Sequence, residues 1–261
     1  MEFESTEYKV VFFIGSVLVW SAICVLVEST ISFKSLTPKQ DHDVKNRIVS
    51  ILHGTLTLIL AGYSLFVDKT GYTDPNTDVQ HFAILTSMGY FLYDLIACVY
   101  YDISDRALWI HHSLAMFGYF TCVYYNNSTL SMVGLFYAEL SNPPMHLRAI
   151  FRSFGMRYTT SYELCDIAYI IIYIIARGVF ITYAIYQTLL NGEIPFLLRF
   201  TCFSLWAQSV YFMNEMVGIL RRKNKQYKER VKKGIPYFWL TENPEIKKLS
   251  YANKQVKENV F

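Results

Sequence analysis

The sequence predicts an all-α fold, a polytopic membrane helix bundle of about seven transmembrane helices, with six as the smaller count. Three observations carry that reading. Of 261 residues, 53% are apolar and only 17% are charged, where a soluble domain carries roughly 25% charged residues. Mean hydropathy is positive, at +0.23. Runs close to the roughly 20 apolar residues that a helix needs to cross the hydrocarbon core recur along the chain. The apolar content excludes a disordered chain, and five cysteines with no CxxC pair exclude a disulfide scaffold. A net charge of +3, with the basic residues gathered mostly in one tail, argues against a nucleic-acid partner.

Four spans are clean: residues 10–27, 48–67, 82–101 and 197–220. Residues 107–125 open with histidines, and residues 164–186 carry Asp166 and Arg177. Residues 129–150 are interrupted by Glu139 and by Pro143-Pro144, and a helix interior that meets proline kinks or stops. The first span follows an acidic stretch, MEFESTEYK, and no small-residue cleavage site comes after it, so it reads as a retained anchor. The organisation is thus an anchor helix and loop over residues 1–43, a bundle over 44–222, and a basic tail over 223–261.

Orientation comes from the Lys/Arg bias of the short loops. Lys34, Lys39, Lys45, Arg47, Arg106, Arg152, Arg157 and the run from Arg221 to Lys233 fall on one side. Lys9 and Lys69 fall on the other, among Glu2, Glu4, Glu7, Asp68, Asp74, Asp78 and Glu193. The expectation is an integral, multi-pass protein with a cytosolic C-terminus. Its tail, mixing basic residues with Tyr237-Phe238-Trp239-Leu240, suits an anionic inner leaflet.

A charge at membrane depth costs at least about 2.5–3.5 kcal/mol on insertion scales, so each one marks a candidate site. His53, Asp94, His111, His112 and Glu215 all fall in the cytosolic third, roughly 6–11 Å deep at the helical rise. Arg47, Ser50 and His53 recur every third residue and make one stripe, while Tyr90 and Asp94 stack four apart on another helix. His111 and His112, being adjacent, point about 100° apart. Glu139 and Arg177 sit near mid-membrane on different spans, which predicts a structural ion pair between them. Together these residues describe a polar, cytosol-facing hollow floored by a charge pair. No metal-ligand spacing appears, so no metal is expected.

The strings NRIVSILHG (residues 46–54), MGYFLYDL (88–95), IHHSLAMFGY (110–119), AELSNPPMHLRAIFR (138–152) and IIARGVF (174–180) resemble the TLC domain. That domain is shared by ceramide synthases, translocation-associated membrane proteins and smaller TLC domain-containing proteins. The AELSNP string is most similar to the small subgroup linked to lipid homeostasis. In ceramide synthases the paired histidines are followed by a His-Asp couple and a further Asp that run acyl transfer. Here the matching positions read Ala138-Glu139 and Asn142. A general base must titrate within reach of the attacking hydroxyl, and neither Ala138 nor Asn142 can.

The resemblance and the hollow together imply a protein that binds or senses membrane lipid through His53, Asp94, His111, His112, Tyr90 and Ser50, with no cofactor. The alternative is an acyltransferase using His111 or His112, with Glu139 as a further candidate and acyl-CoA as donor, drawn by the basic inner loops. A third reading is an endomembrane cargo receptor, as some TLC proteins are.

Overall fold

A computed structural model describes residues 5–103 and 106–249, and among the described residues every regular element is helical. In chain order these are α1 (Thr6–Thr30), α2 (Pro38–Tyr63), α3 (Asp78–Tyr100), α4 (Arg106–Tyr124) and α5 (Thr129–Glu139). They continue with α6 (Asn142–Ser153), α7 (Thr160–Ile175), α8 (Thr182–Leu190) and α9 (Phe196–Lys232). A π-helical turn, Ser64–Asp68, extends α2, and another, Ala176–Ile181, joins α7 to α8. Four helices start on local chemistry, α1 through the Ser5 hydroxyl, which accepts from the Tyr8 N–H. Thr37 and Thr77 each form a capping box, with Gln40 and Gln80 respectively, and Thr159 caps α7. The boxes satisfy donors that a helix start leaves open.

Seven rods result when α5–α6 and α7–α8 each count as one. Four helical stretches are both long and apolar enough to cross a membrane: Thr6–Thr30, Pro38–Asp68, Asp78–Tyr100 and Thr160–Leu190. α4 and α9 have the length, but His111 and His112 dilute the first and Arg199, Asn214 and Glu215 the second.

The interrupted segment crosses as a broken rod. The break falls at Leu140–Ser141, just ahead of the proline pair, so Pro143 opens α6 where its missing N–H costs nothing. Contacts with α2 step steadily along it. Thr129 meets Thr70 at 2.8 Å, Phe136 packs against Phe66, Glu139 reaches Gly54, and Phe154 meets Phe33 ahead of the α2 start. α5–α6 therefore runs antiparallel to α2 from one end of the bundle to the other and does not turn back.

α3 is the central rod, with 72% of its apolar window buried against 17% for α1. α1 lies against it through Gly89, where an added Cβ would come within 2.9 Å of the Val17 backbone nitrogen. Ser16 and the Trp20 indole both donate to the Thr86 carbonyl across that seam. α9 passes through position 222 unbroken, and the chain beyond it folds back on the start of α7. There Thr160 N–H donates to the Phe238 carbonyl, and Ile246 and Leu249 bury beside Tyr158.

Candidate functional site

Between the rods lies a chamber of about 560 Å³, within the range of cavities that bury small organic ligands. Ser50, His53, Tyr90, Asp94, His111, His112, Glu139 and Arg177 all line it. The α2 stripe and the α3 pair thus face one interior, as their spacing requires.

The α2–α3 wall is a hydrogen-bonded lattice. Asn46 Nδ2 donates to Asp94 Oδ1 at 2.7 Å, and Tyr93 donates to Asn46 Oδ1 at 2.9 Å. Tyr90 donates to Ser50 Oγ at 2.8 Å, and Ser50 in turn donates to the Asn46 carbonyl. Asp94 is 1% exposed, so this lattice is what makes its burial tolerable. His112 Nδ1 lies 3.1 Å from Asp94 Oδ2, though without the directional geometry of a hydrogen bond. His53 stacks on Tyr90, with ring centres 3.8 Å apart and planes 7° from parallel, and the Trp20 ring meets its edge.

The two adjacent histidines part company. His112 turns toward Asp94 and Phe91, and His111 turns toward α9, its Nδ1 lying 3.1 Å from Gln208 Oε1. They serve different walls of one space.

The expected Glu139–Arg177 ion pair is absent among the described residues. Glu139 Oε2 accepts instead from Asn142 Nδ2 at 2.8 Å, across the α5–α6 break. Arg177 sits in the π-helical turn, donates to Ser209 Oγ at 3.1 Å and lies 4.6 Å over the Tyr173 ring. Both face the chamber, each held by a neighbour of its own. Asp166 stands near the start of α7, paired with Arg148 and Lys223. Glu215 is exposed while lining the chamber.

Two lining residues escaped the sequence reading. Asn46 is the hub of the α2–α3 lattice, and His146 follows Asn142 by four residues on α6, which puts both on one face. The i, i+4 spacing from Asn142 was the available signal for His146. Four buried polar atoms of lining residues make no hydrogen bond: His53 Nε2, His112 Nδ1, His146 Nδ1 and Arg177 Nε, the His112 nitrogen being the one beside Asp94. Among the described residues, the acid–histidine group whose ligand atoms come within 4.8 Å of one another is Glu28, Asp41 and His42. Lys45 already occupies that cluster, 2.9 Å from Glu28 and 2.6 Å from Asp41.

The fold and site define a multi-pass helical membrane protein built around a polar interior chamber. The TLC domain profile matches residues 43–220, and the chain belongs to the TLC-domain family. No solved structure matches the chain.

Proposed function

We propose that the chamber holds a membrane lipid, and that the protein contributes to lipid homeostasis by binding or sensing it, with the basic end of the bundle in the cytosol. The observation that carries this reading is the chamber's mixed lining, in which His53, Asp94, His112, His146 and Arg177 stand in one enclosed space. The lining also carries long apolar stretches, with Leu130, Leu135, Ala115 and Ile185 beside the polar set, which suits an amphiphile better than a sugar or an ion. Membership of the TLC family supports a lipid-related role at the coarser level. The exposed Phe238, Trp239 and Leu240, beside the basic end of α9, suit contact with an anionic leaflet. Purification followed by lipid extraction and mass spectrometry tests the reading. A defined lipid class retained through size exclusion, and lost in a His53→Leu, His146→Leu double variant, is expected. Retention of none, or of an unselected mixture unchanged by the variant, contradicts it.

A second reading rests on the His112–Asp94 approach of 3.1 Å. A carboxylate beside an imidazole orients it as a general base, and acyl-CoA would then be the donor to a lipid hydroxyl or amine. Labelled acyl-CoA incubated with long-chain bases or lipid alcohols decides it. Product formation lost in His112→Ala supports transfer, and no product above that control ends it.

A further inference from the structure

Where α6, α7 and α9 meet at the basic end, a second cavity of about 220 Å³ opens. Its wall carries five cations, Arg148, Arg152, Arg157, Arg222 and Lys223, against two acids, Glu163 and Asp166. The acids are already committed. Asp166 pairs with Arg148 and, at 2.6 Å, with Lys223, while Glu163 pairs with Lys223 at 2.7 Å. Burial acts against the Lys223 ammonium, but the Glu163 and Asp166 carboxylates outweigh it and raise its pKa, so it stays a cation at neutral pH. Arg152, Arg157 and Arg222 are left with no carboxylate within ion-pair distance among the described residues.

A basic flank at the cytosolic end of a membrane protein is ordinary when its charges spread over open surface. Convergence of three unpaired guanidinium groups on one concavity is different, because like charges drawn together repel unless an anion sits among them. Arginine favours phosphate in particular, since its planar fork donates two parallel hydrogen bonds to a pair of phosphate oxygens. The cavity is below the roughly 300–1,000 Å³ that buries a whole drug-sized ligand, so it fits a headgroup and not an acyl chain. Arg148 and Ile219 line both this pocket and the large chamber, so the two spaces share a wall.

We propose that this pocket binds a phosphate group, presented by a phosphomonoester lipid headgroup or by a soluble phosphate ester. For the lipid source the proposal rests on the chamber reading and deepens it, and for the soluble source it stands without it.

The test uses the full chain in neutral detergent, with binding measured by native mass spectrometry and by shift of the unfolding temperature. The probes are phosphatidic acid, diacylglycerol with the same chains, and glycerol 3-phosphate. Wild type is expected to prefer phosphatidic acid over diacylglycerol by roughly tenfold or more, a modest share of what charge-assisted hydrogen bonds supply. The Arg152→Gln, Arg222→Gln double variant erases that preference and keeps diacylglycerol binding. Both arginines are exposed and lack carboxylate partners, so the unliganded unfolding temperature should hold. Competition by glycerol 3-phosphate at equal affinity makes the soluble ester the source, and weak competition makes it the lipid headgroup. Arginine-dependent binding of glycerol 3-phosphate with neither lipid bound sinks the chamber reading and leaves the pocket standing. No arginine-dependent binding of either phosphatidic acid or glycerol 3-phosphate, or an unchanged preference in the Gln variant, overturns the proposal. So does an Arg152→Lys, Arg222→Lys variant with the preference intact, because that reduces the effect to surface charge.

Discussion

The two walls of the chamber are built on opposite terms. On the α2–α3 side five side chains are tied together, Asn46, Asp94, Tyr93, Ser50 and Tyr90, and α3 is the most buried of the four long apolar stretches at 72%. On the opposite side Glu139 and Arg177 are each held by one neighbour, Asn142 and Ser209 respectively, and the Thr160–Leu190 span is only 33% buried. A fully satisfied network rigidifies its surroundings, whereas singly held groups can exchange partners at small cost. The lattice is therefore a scaffold, and Glu139 and Arg177 are groups that can turn to a ligand.

Substitutions can break or sharpen that contrast. Asp94→Ala should have the largest effect, about 2–3 kcal/mol of destabilisation, because it leaves the buried Asn46 amide without its acceptor. Chemical denaturation in detergent reads it, with Asp94→Asn milder. Next comes Gly89→Val, expected to cost about 1–3 kcal/mol by forcing α1 off α3 at the Val17 backbone. Loss of the Phe12–Phe82 packing between those helices, read by crosslinking, should accompany it. Arg177→Met on the opposite wall should cost about 1 kcal/mol or less, since one hydrogen bond and one ring contact are lost from a site that accepts an apolar side chain. Glu139→Gln should be the smallest, within about 0.5 kcal/mol, because a glutamine oxygen still accepts from Asn142. A cost of several kcal/mol there would restore the direct Glu139–Arg177 pair that the sequence suggested.

How much of this was legible depends on whether the feature is local. Helical class and most of the spans follow from apolar length alone. The chamber stripe follows from helical period, which put Ser50 with His53 and Tyr90 with Asp94 before any packing was known. The Glu139–Arg177 pairing was inferred from equal depth, and depth does not fix rotation about a helix axis. Arg177 stands in a π-helical turn, whose changed phase sends its guanidinium to Ser209, and nothing in the string IIARGVF announces that turn. Asp166 looked like an intramembrane charge because its partners, Arg148 and Lys223, belong to segments far away in the chain. His146 lay beyond the proline pair in the weakest span, where the break at Leu140–Ser141 re-aims α6 so that its polar face looks inward.

Lipid in the chamber can be detected directly. Gly134 lines the chamber, and a Cβ added there meets nothing within 4 Å, so Gly134→Trp is the substitution chosen to fill the space. Native mass spectrometry of wild type and Gly134→Trp, purified side by side, should show a lipid adduct on the first and none on the second, with both proteins folded. An equal adduct on both, or none on wild type, contradicts the lipid reading.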